Sequence, residues 1–257
     1  MISSAIAVGK LVGFLLFTPP MMLLQLLVLR LAPKHGTWVP QLYNRLLCKL
    51  LSLHIVVEGE ANRSGLIVAN HVSWKDIPVL NAVRPLSLIA KREVGSWLLF
   101  GSLARLQGTI FVNRESKRSI LPSLLAIQQR LRTGETLVLF PEATTYTGKA
   151  VKLFKTSFFA AAVRSETPII PVAIIYQRQH GLPLTLRQRP AIAWYGDGDL
   201  APHLWRFLQG GPVVVKLVFH NPLQPADFAN RKKLAAAAEG LIRQTLAENL
   251  HAAAKMR

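Results

Sequence analysis

Residues 11–31, LVGFLLFTPPMMLLQLLVLRL, contain a single charge, Arg30. A stretch this apolar must be covered by protein or by lipid, and it is long enough to cross a bilayer core, which takes about 20 residues. Pro19 and Pro20 stand in its middle. Neither has an amide hydrogen to donate, so a straight helix is expected to kink or break there. The expectation is therefore two short helices forming a membrane-embedded hairpin broken at Pro19-Pro20. Lys10 lies ahead of the apolar run and Lys34, Arg45 and Lys49 follow it. Basic flanks on both sides suit a hairpin in the cell membrane with both ends, and the domain that follows, on the cytoplasmic side. A cleaved signal peptide with Lys10 as a short basic region is the competing reading. Against it, the apolar run continues to Leu31 and no small-x-small cleavage site follows.

The charge balance narrows the partners. Thirty-one Lys and Arg against 13 Asp and Glu leave a formal net charge of +18, which attracts polyanions, either nucleic acid or anionic lipid head groups. With 51% apolar residues and a greasy N-terminus, an anionic membrane surface is the expected partner and nucleic acid is not. The only cysteine, Cys48, excludes an internal disulfide and a Cys-rich zinc site.

After residue 50 the pattern changes to short apolar runs bounded by turn residues, with strands expected at 54–58, 66–69, 86–90, 109–112, 136–140, 169–175 and 213–220. Ile120, Leu124, Ile127 and Leu131 recur at helical spacing, with Gly134 as the stop. The tail from about Pro225 reads as a surface amphipathic helix carrying Leu234, Leu241, Leu246 and Leu250. This alternation predicts an α/β fold, a mixed sheet flanked by helices. The simplest division is an anchor over 1–50 and a catalytic domain over 51–257.

Several site patterns are missing. There is no Gly-x-Ser-x-Gly elbow and no His-Glu-x-x-His. Thr147-Gly148-Lys149 looks like the end of a phosphate loop, but Ala150 and Ala143 occupy positions that need Ser or Thr and Gly. Seven scattered histidines do not suggest a metal cluster. The segment Asn70-His71-Val72-Ser73-Trp74-Lys75-Asp76 lies between two apolar runs and admits two readings. Ser73 or Asp76 can cap a helix, with Pro78 in its tolerant first turn. Alternatively, His71 and Asp76 are a catalytic pair. On one regular helix, residues five apart diverge by about 140°, so a pair requires His71 to stay on the loop and fold over the first turn. Asp76 would then fix the imidazole tautomer and leave the other nitrogen to take a proton from a hydroxyl. Spacing alone leaves both readings open.

Three more clusters follow in order: Lys91-Arg92-Glu93-Val94 through Gly108-Thr109-Ile110-Phe111-Val112-Asn113-Arg114, then Phe140-Pro141-Glu142-Ala143-Thr144-Thr145, then Pro168-Ile169-Ile170-Pro171-Val172. Together with Asn-His-x-x-x-x-Asp, they resemble the glycerolipid and lysophospholipid acyltransferase family over about residues 50–225. A lone His-x4-Asp is weak evidence, whereas four blocks in the family's order and approximate spacing are specific.

The resemblance implies the acyltransferase fold and a membrane O-acyltransferase of the 1-acyl-sn-glycerol-3-phosphate type. Its donor is acyl-CoA or acyl carrier protein, its acceptor a lysolipid hydroxyl, and it uses no cofactor and no metal. His71 is implied as general base and Asp76 as its orienting partner. Arg114 is implied to hold the acceptor's anionic head group and Glu142 to help position the acceptor, with Lys91, Thr144 and Thr145 also in the substrate site. The third block departs from the family's Phe-Pro-Glu-Gly-Thr-Arg: Ala143 replaces Gly and Thr145 replaces Arg. Alanine is disfavoured at positive φ, and losing Arg removes a bidentate phosphate donor; Lys149 or Lys152 offers only a point charge. Thr145 resembles the branch acting on lyso-ornithine lipid. Lysophosphatidic acid, which dominates the family, is the leading expected acceptor and lyso-ornithine lipid the alternative. An ester hydrolase using the same pair, and a non-enzymatic basic membrane-surface binder, are the remaining readings.

Overall fold

The central strands of the sheet are continuous apolar runs, as expected where both faces are covered. The structure is a computed structural model and describes residues 2–113, 117–185, 187–196 and 198–255. The strands are β1 (Leu53–Glu58), β2 (Leu66–Ala69), β3 (Ser87–Lys91), β4 (Ile110–Val112), β5 (Leu137–Leu139), β6 (Ile169–Gln179), β7 (Leu182–Pro183) and β8 (Val213–Phe219). They form one sheet in the order β1-β8-β6-β2-β5-β3-β4, with β7 paired to β6. Strands from β6 through β2, β5 and β3 to β4 are mutually parallel, while β8 runs antiparallel to β6 and parallel to β1. The sheet is therefore mixed, and each expected strand is present within a few residues of its expected ends.

The helices are α1 (Ile2–Leu31), α2 (Trp38–Leu50), α3 (Asp76–Val83), α4 (Leu98–Leu106), α5 (Lys117–Arg132), α6 (Phe159–Ser165), α7 (Arg189–Ile192), α8 (Leu200–Gln209) and α9 (Arg231–Lys255). Alternation along the strands sends Ile67, Ala69, Val138 and Ile174 to a core shared with α1, α2, α3 and α8. Their neighbours Leu66, Val68, Leu137 and Ile175 face α5, α6 and α9 on the other side. The periodic residues Leu124, Ile127 and Leu131 are buried on α5, and Gly134 ends it at φ 80°. Leu234 and Leu246 of the tail helix α9 are buried in the same core.

The N-terminus corrects one expectation. α1 runs unbroken from Ile2 to Leu31 with Pro19 and Pro20 inside it, so there is no break at the prolines. Each proline removes one intrahelical bond, but packing from outside holds this turn. Phe17 lies 5.1 Å from the Tyr43 ring, Thr18 Oγ1 is 3.3 Å from Tyr43 Oη, and Thr18 is buried. A hairpin does form, but its turn falls at residues 32–37, where a short 3-10 turn over Pro33–His35 leads into α2. Gln25, polar and buried in the apolar helix, donates through Nε2 to the Gly36 and Leu106 carbonyls at 2.8 Å each, tying this turn to the end of α4.

α1 is long and apolar enough to cross a membrane, and only 11% of its most apolar window is covered by the rest of the chain. Leu15, Leu16, Leu23 and Leu31 all point outward.

Gln25→Leu is expected to strand two carbonyls and lower stability by about 1–3 kcal/mol, measured as denaturant unfolding of the detergent-solubilised protein.

Candidate active site

The carboxyl ends of parallel strands face a common crevice, and here β2 and β5 deliver the polar blocks to it. β2 ends at Ala69, and the Asn70 side chain continues the ladder toward β6. Its Nδ2 donates to the Ile174 carbonyl at 3.0 Å and its Oδ1 accepts from the Ile174 amide at 2.8 Å. His71 follows on the loop, and Asp76 is the first residue of α3.

The two side chains meet. His71 Nδ1 lies 2.8 Å from Asp76 Oδ2, with the nitrogen as donor because an ionised carboxylate only accepts. The same oxygen accepts the Val72 and Ser73 amides at 2.7 and 2.9 Å, and Oδ1 accepts the Tyr176 hydroxyl at 2.8 Å. Asp76 has no solvent exposure, so this set of donors replaces its water. The pairing reading therefore holds, whereas the N-cap of α3 is neither Ser73 nor Asp76 but Lys75, which makes no side-chain cap bond. The Ser73 hydroxyl is used otherwise: it accepts from Lys75 Nζ at 2.8 Å.

The third block grips His71 from the other side. Glu142 Oε1 accepts the His71 amide at 2.7 Å and Oε2 the Lys152 amide at 2.8 Å, while the Tyr146 amide donates to the His71 carbonyl at 2.8 Å. Phe140 stacks on the imidazole at 4.0 Å and 16°. With Nδ1 committed to Asp76, Nε2 is the nitrogen left for chemistry. Burial raises the Glu142 carboxyl pKa against the opposing effect of its two backbone hydrogen bonds. Burial and the neighbouring Asp76 charge push the Tyr176 phenol well above its ordinary value, so Tyr176 remains a hydrogen donor to Asp76.

His71 lines a cavity of about 560 Å³ whose walls are mostly apolar. Leu11 and Phe14 of α1, Leu47 of α2 and Trp97, Phe100 and Leu103 around α4 supply much of that wall. Lys91, Thr144 and Thr145 line the same space. Glu142 does not, because both its oxygens are spent on the backbone. Its position makes it a clasp between His71 and the loop ending at Lys152. Arg114 lies outside the described residues. Among the described residues, no group of three or more His, Cys, Asp or Glu is placed to hold a metal ion.

Ala143 lies on the cavity wall at φ 61°. The backbone thus keeps the left-handed turn that glycine would favour in the family motif, and alanine is strained there. The sequence assigns no role to Tyr176, to Asn70 within its motif, or to the stacking of Phe140 on His71. Tyr176 is separated from Asp76 by a hundred residues, and its one signal was a hydroxyl-bearing ring at the end of the apolar run Ile169–Ile175.

A family model described as Acyltransferase matches residues 54–175. The chain is 41% identical over 239 residues to the lyso-ornithine lipid O-acyltransferase of Rhizobium meliloti (strain 1021), covering 90% of this chain and 82% of that protein. It is 34% identical over 184 residues to the 1-acyl-sn-glycerol-3-phosphate acyltransferase of Neisseria gonorrhoeae, covering 72% of this chain and 70% of that one. The crystal structure of the 1-acyl-sn-glycerophosphate acyltransferase from Thermotoga maritima superposes with a TM-score of 0.70 at 21% identity, covering 96% of this chain and 94% of that chain. At that identity the likeness speaks for the fold alone.

Tyr176→Phe is expected to reduce kcat by about tenfold, the size of one lost hydrogen bond to a charged group, with KM unchanged in steady-state assays. Ala143→Gly is expected to raise unfolding stability by up to about 1 kcal/mol by relieving the left-handed strain, read by chemical denaturation.

Proposed function

The chain belongs to the acyltransferase family, and on that premise we propose that it transfers a fatty acyl group from an acyl thioester to the hydroxyl of a lysolipid, lyso-ornithine lipid foremost. His71 Nε2 takes the proton of the acceptor hydroxyl as that oxygen attacks the thioester carbonyl carbon. The carbon–sulfur bond then breaks, and the departing thiolate takes the proton from the imidazolium. Asp76 holds Nδ1–H and offsets the transient positive charge on the ring. The donor is acyl-CoA or acyl carrier protein, and no cofactor enters the reaction.

The acceptor assignment rests on Thr145. It stands on the cavity wall beside Thr144, where the family motif carries arginine. A neutral hydroxyl there suits a head group without a phosphate monoester, and the high identity to a lyso-ornithine lipid enzyme supports the same reading. This reverses the order of acceptors expected from sequence. Lysophosphatidic acid is the second reading, favoured by Lys91 on the cavity wall and by the Neisseria relative. The uncovered apolar length of α1 and the +18 charge support a place on the cytoplasmic side of the cell membrane, against an anionic lipid surface.

Purified enzyme given lyso-ornithine lipid and lysophosphatidic acid side by side, with product read by mass spectrometry, is expected to acylate the former faster. His71→Ala is expected to lower transfer by at least about 10²-fold while staying folded. An active His71→Ala enzyme would overturn the mechanism, and thioester cleavage independent of added lysolipid would mark a hydrolase. Thr145→Arg is expected to shift the kcat/KM ratio toward lysophosphatidic acid by about tenfold or more, because a bidentate phosphate contact is regained.

A further inference from the structure

Lys75 is among the largest side chains with virtually no solvent exposure. Lysine almost never occupies such a position without a partner, and a buried ammonium is costly to desolvate. Its Nζ donates to Ser73 Oγ at 2.8 Å and to the Ile192 carbonyl at 2.7 Å. The rest of the group faces aromatic rings: Phe207 at 4.2 Å, Trp74 at 4.9 Å and Tyr176 at 6.0 Å from Nζ to centroid, an arrangement that attracts a cation.

The two acceptors belong to two different walls of the site. Ser73 lies inside the loop that carries His71, and its amide is one of the donors on Asp76. Ile192 ends α7, and two residues later the Trp194 amide donates to the Val72 carbonyl at 3.0 Å. Trp194 and Gly196 then line the cavity that His71 faces. Lys75 and the Trp194 amide therefore fasten one segment of cavity wall to the catalytic loop at two neighbouring points. Tyr176 touches both groups, with its hydroxyl on Asp76 and its ring beside Lys75.

We propose that Lys75 is a positioning residue for the acyl transfer: its amino group locks the wall carrying Trp194 onto the His71 loop through the two hydrogen bonds that it donates. This rests on the reading of His71 and Asp76 as the catalytic pair. An apolar side chain of the same length would fill the cage without a charge to desolvate, and replacing buried ions by apolar groups is often neutral or stabilising. Retaining lysine therefore costs the fold stability and serves the site.

Burial lowers the Lys75 pKa to about 7, the Asp76 charge partly opposing it. The sign for stability follows. Between about 7 and the ordinary 10.5, the unfolded chain holds a proton that the folded chain has shed, so stability rises with pH across that window. The other titratable and charged groups around Lys75 are Asp76 on α3, His71 on the loop, Tyr176 on β6 with Cys48 of α2 near it, and His203 and Arg206 on α8. Burial first, then the Lys75 charge, lowers the His203 pKa to about 4, so His203 is neutral in this window.

Lys75→Met tests the proposal in the full-length, detergent-solubilised enzyme, with His71→Ala assayed alongside. The expected result is a melting temperature unchanged or raised by about 2–4 °C, loss of the rise in stability between pH 7 and 10, and kcat reduced at least tenfold with little change in KM. If Lys75→Met does not fold, Lys75→Leu takes its place with the same expectation for kcat. A kcat per folded enzyme within twofold of wild type would overturn the proposal while leaving the catalytic pair intact. If His71→Ala is as active as wild type, the catalytic reading fails, and this one fails with it.

Discussion

A single carboxylate with no access to water organises this molecule. Asp76 needs donors, and it draws them from the loop after β2, from the imidazole and from the middle of β6. Burying that charge is tolerable only because each oxygen is met, so the loop, the first turn of α3 and the β6 strand must keep their mutual spacing. The orientation of His71 follows from that requirement. The geometry of the pair proposed as catalytic and the electrostatic demand of the carboxylate are here the same constraint, and an unmet donor set would penalise the fold itself.

A second layer of contacts acts on the loop backbone. Glu142 clasps the amides of His71 and Lys152, Asn70 bridges to Ile174, and Lys75 reaches Ile192. These are side chains of types usually assigned to substrate contact, employed in shaping the wall against which substrate would lie. The cavity itself is left chiefly apolar, with Lys91, Thr144 and Thr145 as isolated polar points. Such a division suits a reaction whose partners are greasy chains carrying one reacting group each.

Much of this was legible in the sequence, for identifiable reasons. Central strands show as apolar runs because both faces are covered, and the α5 periodicity shows because one of its faces meets the sheet. The His-x4-Asp pair was legible only as a possibility, because spacing does not say where the loop ends and the helix begins. Tyr176 was invisible as a site residue because the β2–β6 pairing brings it to Asp76, and Lys75 because Ile192 of α7 and Phe207 of α8 meet it only in the fold, neither of which local pattern encodes. The prolines misled for a related reason. Local rules give the cost of Pro19 and Pro20 in isolation, whereas Tyr43 and Phe17 supply the support that keeps α1 continuous. Lys75 itself read as a polar letter in a short motif, and its lack of exposure came only with the three rings around it.

Phe14, Leu11 and Lys10 of α1 belong to the same chamber as His71. The greasy N-terminal helix is therefore part of the wall of the cavity that His71 faces. Removing it to gain solubility would leave the chamber open along one side and admit water beside His71. Shortened forms of this protein would then make poor proxies for its selectivity, even where the Asp76 donor set survived intact.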